Sequence, residues 1–170
     1  MPYQESRCHP ESTRPSDGVP EPTDPDRGET IGVQDPHLKW EPLLAGTLLE
    51  RTGTRIVSLS PATGEMTMPV AGNTQPAGLL HGGATIALAE SVASMCAYLH
   101  AREVHGPDAQ AVGTSVSALH HRSARSGIVH ARCRALRLGR TIANYEVDVR
   151  DEEERLISTV SIATMLLPPR

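Results

Sequence analysis

A helix-length run of apolar and small residues, Ala84 to Leu99, limits what this chain can fold into more than any other feature. Ile86, Ala87, Leu88, Ala89, Val92, Ala93, Met95, Cys96, Ala97 and Leu99 leave no polar stripe of the kind a surface helix carries. A helix that is apolar all round belongs inside a protein, so the rest of the chain has to cover it. Pro76 and Gly78 precede the run and suit a turn, and His81-Gly82-Gly83 suits an abrupt helix start. One carboxylate interrupts the run, Glu90, with hydroxyls at Ser91 and Ser94.

A buried carboxylate is expensive and needs a partner or a purpose. The plain explanation is a partly exposed edge or a neighbouring backbone group. The His-Gly-Gly corner adds a chemical one. Two glycines let a ligand approach the backbone, and the free N–H groups of the first turn point outward with the positive end of the helix dipole. A group that polarises a carbonyl and a carboxylate that can act on it then share one helix. Gly82 and Glu90 are eight residues apart, so about 12 Å along the axis. One carbonyl cannot touch both within a single chain. If both act on it, two copies of the helix lie antiparallel across a two-fold axis, which predicts a homodimer with shared sites.

The chain has 170 residues, enough for one domain with a core. Its formal net charge of −4 gives no electrostatic case for nucleic-acid binding. No membrane span is expected, because Glu90 and several serines interrupt the apolar run. The polar, proline-rich start does not read as a signal peptide. Cys8, Cys96 and Cys133 are far apart in sequence and suggest neither a zinc site nor a disulfide framework. That usage fits a reducing cytoplasm. Phe is absent, so Leu, Val, Ile, Ala and Met have to build the core.

Residues 1–36 hold seven of the fourteen prolines, eight acidic residues and three Arg. Such a segment buries too little apolar surface to offset its ordering entropy, which predicts a disordered acidic tail over 1–36 and a folded domain over 37–170. The domain opens with a short amphipathic piece around Trp40, Leu43 and Leu44. Strands are expected at Thr47–Glu50, Arg55–Ser60 and Glu65–Val70, ahead of the central helix. After Gly106-Pro107-Asp108 the chain turns strand-like at Ala111–Leu119. In Ile128–Leu138, Val129, Ala131, Cys133 and Ala135 share one face while His130, Arg132 and Arg134 share the other. Ala143, Tyr145, Val147 and Val149 alternate with Asn144, Glu146, Asp148 and Arg150; an acidic turn, Asp151–Glu154, then leads to Leu156–Leu166. Period-two alternation with short turns predicts an antiparallel meander. The fold class is α+β, a sheet curled around one buried helix.

The stretch GEMTMPVAGNTQPAGLLHGGATIALAESVAS resembles the signature of hotdog-fold acyl-CoA thioesterases. Within that superfamily it is similar to the branch with Gln-Pro-x-Gly-x-x-His-Gly-Gly and a Glu nine residues after the His. That branch includes 1,4-dihydroxy-2-naphthoyl-CoA hydrolases, Glu-type 4-hydroxybenzoyl-CoA thioesterases and phenylacetate-pathway thioesterases. AVGTSVSALHHRSARSGIVHARCRALRLGRT also looks like this group, and the resemblance covers about residues 43–167. It implies a hotdog fold, an antiparallel sheet wrapped around one long central helix. It implies Glu90 as the catalytic carboxylate, either nucleophile or general base on water. The Gly82 N–H would polarise the thioester carbonyl, Gln75 would place the thioester or water, His81 would support the corner, and Ser94 would hydrogen-bond the carboxylate or water.

The same resemblance sets Gly113, His120, His121, Arg122 and Ser123 beside the pantetheine and nucleotide of CoA. It sets Arg137, Leu138, Gly139, Arg140, Thr141 and Ile142 on the same ligand. The cluster HHRSAR agrees in part, since Arg suits phosphate at a strand end; a solvated turn is the plain alternative. His121 replaces the aliphatic residue and Ala77 the aromatic residue found in some relatives. No cofactor is expected, CoA being part of the substrate, and the expected assembly is a homotetramer of such dimers. A non-catalytic acyl-CoA-binding domain is the main alternative, and phenylacetyl or medium-chain acyl groups are alternative substrates. A hotdog dehydratase lacks its motif here. No Gly-x-Ser-x-Gly supports a serine hydrolase, and no His-Glu-x-x-His supports a metal hydrolase.

Overall fold

The computed structural model describes residues 41–169. The expected tail over 1–36 lies outside the described residues. Two short helical turns come first, α1 (Glu41–Leu44) and α2 (Leu48–Arg51). The strand expected at Thr47–Glu50 is therefore a helical turn. Its cause is local: the Glu50 carboxylate reaches back to the Gly46 N–H at 2.6 Å, and the Thr47 hydroxyl donates to the Leu44 carbonyl at 2.6 Å. These bonds satisfy the turn from within.

Six strands follow in chain order: β1 (Arg55–Leu59), β2 (Thr63–Pro69), β3 (Gln110–His120), β4 (Ile128–Leu138), β5 (Ile142–Arg150) and β6 (Leu156–Leu167). One long helix, α3 (Gly82–His105), lies between β2 and β3. All the pairings are antiparallel, in the order β1-β2-β4-β5-β6-β3. β4, β5 and β6 form the expected meander. β3 departs from it: the strand lies at the far edge beside β6, and its successor β4 sits in the middle of the sheet. Residues 121–127 make that crossing along one end of the sheet. Four backbone bonds tie them down, from the His121 and Arg122 N–H groups to the Ile157 carbonyl, from the Leu80 N–H to the Ala124 carbonyl and from the Val70 N–H to the Gly127 carbonyl, at 2.8–3.2 Å. The crossing passes the His-Gly-Gly corner, and that encounter makes the site.

The predicted alternation appears as burial. Val129, Ala131 and Cys133 of β4 and Ala143, Tyr145, Val147 and Val149 of β5 point inward. Met66 and Met68 of β2 and Val160, Ile162 and Leu166 of β6 complete that face. α3 packs against every strand. Each large side chain buried this way contributes about 1.5–3 kcal/mol. Without Phe, Tyr145 is the largest fully buried side chain among the described residues, and its hydroxyl donates to the Pro61 carbonyl at 2.9 Å.

α3 is not buried all round within one chain. Leu88, Ala89, Val92, Ala93, Cys96, Ala97 and Ala101 form an inward stripe on the sheet. Ile86, Ala87, Met95 and Leu99 are half-exposed despite being apolar. At 24 residues α3 has the length and mean hydropathy of a bilayer span, yet its inward stripe is the core of the sheet.

Candidate active site

The corner before α3 is built from its own backbone. The Gln75 N–H donates to the Leu79 carbonyl, Gly78 to Gln75 and His81 to Asn73, at 2.8–2.9 Å. Gly78 has φ +73°, a conformation that strains any residue with a Cβ. His81 caps α3: its Nδ1 accepts the Gly83 N–H at 2.8 Å, and its carbonyl accepts from Thr85. The Gly82 N–H has no acceptor among the described residues. It is an orphan donor at the positive end of a 24-residue helix.

Gly82 opens onto a cavity of about 450 Å³ between the corner, the end of β3, the crossing segment and β6. Of the expected residues, Gln75, Gly82, His120, His121, Arg122 and Ser123 line it. His120 comes closest to the helix start, since a Cβ added at Gly82 would meet its Nε2 at 2.8 Å. On the other side its Nδ1 meets the Ser158 hydroxyl at 2.7 Å. Ser158 is fully buried, and sequence reading passed over it. The signal was there: period-two alternation sets Ser158 on the face of Val160, Ile162 and Leu166, a hydroxyl among apolar groups.

The remaining expected residues lie elsewhere along the helix. Glu90, half-buried, faces Gly113 of β3; a Cβ on Gly113 would stand 2.8 Å from its Oε1. The register of β3 against β6 shifts between Gly113 and Ser115. Ser94 stands one turn beyond Glu90 and is also half-buried, but no hydrogen bond joins them within the chain. Gly113 is seven residues from His120 on β3, so about 23 Å away, and is not part of the His120 cluster within one chain.

Arg137–Ile142 form a third group at the other end of α3. There the imidazoles of His100 and His105 hydrogen-bond the Gly139 and Arg140 carbonyls at 2.9 and 2.5 Å. His100 is 18 residues from Gly82, about 27 Å along the axis. One chain thus presents three groups along the length of α3: an unpaired N–H at its start, a carboxylate within it, and the Arg137–Ile142 hairpin against its far end.

Cys96 and Cys133 are neighbours in space although remote in sequence. A hydrogen bond to Cys96, with burial and the neighbouring thiol adding to it, pushes the Cys133 thiol far above its ordinary range. Both thiols are buried in the core, and a neutral thiol there is not a nucleophile. Among the described residues, no group of three or more His, Cys, Asp or Glu is set to hold a metal ion.

The sequence model of the thioesterase superfamily matches residues 77–158. Over 136 residues the chain is 42% identical to the proofreading thioesterase EntH of Cronobacter turicensis, across 77% of this chain and 96% of that protein. This chain belongs to the thioesterase superfamily. It is 37% identical to the 1,4-dihydroxy-2-naphthoyl-CoA hydrolase of Escherichia coli, over 72% of this chain and 88% of that one. A thioesterase structure from Pseudomonas aeruginosa superposes with a TM-score of 0.73 at 30% identity, covering 82% of this chain and 99% of that chain. A Haemophilus influenzae thioesterase gives 0.69 at 32%, covering 75% and 87%. The six-stranded antiparallel sheet with one long packed helix is the hotdog architecture of this superfamily. The chain is a thioester hydrolase.

Proposed function

We propose that this thioesterase hydrolyses an aryl-CoA of the 1,4-dihydroxy-2-naphthoyl type to the free acid and CoA, in sites shared between two copies of the chain. The observation that carries the reading is the placement of the two reactive groups. The orphan Gly82 N–H and the Glu90 carboxylate sit about 12 Å apart on one helix. In an antiparallel pair, Gly82 of one copy meets Glu90 of the other. The half-exposed apolar face of α3 and the free edge of β3 both support such a pairing.

In this site the Gly82 N–H polarises the thioester carbonyl, and the corner held by His81 fixes its direction. Gln75 orients the thioester or the water. Glu90 either attacks the carbonyl carbon, releasing CoA thiolate and leaving an anhydride for water to open, or removes a proton from an attacking water. Both routes consume one water and yield acid and thiol. Ser94 holds the carboxylate or its water. Gly113 leaves room for the Glu90 carboxylate, and His120–Ser123 with Arg137–Ile142 hold the CoA moiety, the last group from another copy. The proposal includes a cytoplasmic location, which two adjacent unpaired thiols support, and a tetramer of two dimers.

A second reading is a proofreading thioesterase of broad acyl tolerance. It is favoured by relatives of that name at 42% and 40% identity. Release of CoA thiol from naphthoyl, hydroxybenzoyl, phenylacetyl and medium-chain acyl-CoA, by wild type and Glu90→Ala, tests both. A strong preference for one aryl-CoA, lost by several orders of magnitude in Glu90→Ala, supports the first reading. A flat profile across the panel supports the second. Activity that survives in Glu90→Ala refutes the proposed mechanism.

A further inference from the structure

The His120–Ser158 pair has a use that CoA binding does not require. Ser158 lies opposite His120 in the β3–β6 register and is fully buried. Its Oγ meets the His120 Nδ1 at 2.7 Å and has no other hydrogen-bond partner among the described residues. Either atom could carry the bridging proton. If Nδ1 carried it, the Ser158 proton would be buried with nothing to accept it, which native structures avoid. The satisfied arrangement has Ser158 donate to Nδ1. The ring's proton is then on Nε2, the nitrogen that faces Gly82 in the cavity. The second nitrogen of a neutral imidazole is set by the bond the first one makes.

We propose that Ser158 is a positioning residue that holds His120 in the Nε2–H form, and that this N–H is a second donor to the thioester carbonyl oxygen beside the Gly82 N–H. The proposal rests on the reading of Gly82 as the carbonyl site. Two donors converging on one oxygen stabilise the charge that develops there as the carbonyl becomes tetrahedral. A glycine is needed at 82 because a Cβ there would stand 2.8 Å from the His120 Nε2 and crowd the ring. Ser158, itself fully buried, acts through the ring.

Nitrogen-15 NMR of the histidines in the folded wild type and in Ser158→Ala reads the tautomer directly, without reference to activity. The expected result is Nε2–H for His120 in the wild type and a mixed population in Ser158→Ala. Kinetics supply the second readout. His120→Ala, which removes the ring N–H, is expected to lower kcat about 10²-fold in addition to any rise in KM from the lost CoA contact, since a donor used in the transition state lowers kcat itself. Ser158→Ala is expected to lower kcat about tenfold in the wild-type background, a partial loss of the Nε2–H form, and to add nothing in His120→Ala. An Nδ1–H ring in the wild type overturns the proposal, as do additive losses or an unchanged kcat in Ser158→Ala. If His120→Ala does not fold, the NMR comparison and Ser158→Ala decide. An inert Glu90→Ala with wild-type rates in both other variants refutes this inference alone, whereas an active Glu90→Ala refutes the underlying site.

Discussion

Gly113→Ala separates catalytic geometry from stability in this thioesterase. The residue lies in β3 opposite Glu90, and its φ is outside the left-handed region, so an alanine backbone fits without strain. The new Cβ would stand 2.8 Å from Glu90 Oε1, about 0.6 Å inside the 3.4 Å where ordinary contact begins. The next atom, Cδ, is 3.8 Å away, so only the end of a flexible side chain has to give. Folding should therefore lose little, and Ala in place of Gly within a strand gains roughly 0.5–1 kcal/mol from the unfolded chain. Catalysis should lose much more. A 1 Å misplacement of a reacting group costs about 10²-fold, so a 0.6 Å displacement is expected to cost about 10- to 100-fold in kcat. Paired thermal melts and CoA-release kinetics check this, with an unchanged or raised Tm beside the reduced kcat. Wild-type kcat with an intact fold would refute the claim that the Glu90 carboxylate works from its place over Gly113.

Two further perturbations probe the frame. Gly64→Ala puts a Cβ 2.7 Å from Cys96 Sγ, 3.0 Å from Leu59 Cδ2 and 3.1 Å from Val92 Cγ2, between β2 and α3; overpacking of this kind costs about 1–3 kcal/mol, and a Tm equal to wild type would show the core to be looser than described. The 151–155 turn sets the acid response. Burial alone would raise Asp151, but the Arg155 backbone N–H at 2.9 Å and its guanidinium at 2.7 Å hold the carboxyl below its ordinary range. Glu154 is likewise lowered by its paired bonds to Arg132 at 2.6 and 2.8 Å. A carboxylate lowered in the folded state stabilises above its unfolded pKa, about 3.9 for Asp, and that contribution disappears as pH falls through the folded value. Tm should thus fall with acidification below about pH 5, and Asp151→Asn should flatten that fall, its difference from wild type shrinking as the pH drops. Parallel curves for the two proteins over that range would remove Asp151 from the acid response.

The candidate residues around the helix start are legible in the sequence because they are concentrated in one contiguous stretch. A helix start that needs two glycines, an apolar helix behind it and one carboxylate within it are local facts, and local physics reads them. The strands after the helix were legible for the same reason, since Val129, Ala131 and Cys133 and then Ala143, Tyr145, Val147 and Val149 alternate with polar residues. Thr47–Glu50 was misread because its β-branched and leucine content suits a strand, while Glu50 bonds back to Gly46 and closes a turn.

Tertiary structure decided what lies against what. The sequence determines that the chain carries a glycine-rich helix start and a carboxylate two turns on, since spacing along one helix fixes their separation. It does not determine that β3 crosses to the far edge beside β6, because alternation says which face a strand buries and nothing about its neighbour. That crossing brings His120 to Gly82, Ser158 to His120 and Gly113 to Glu90, pairs separated by 38, 38 and 23 residues. Contacts at such separations depend on the path of the whole chain, so only the folded sheet contains them.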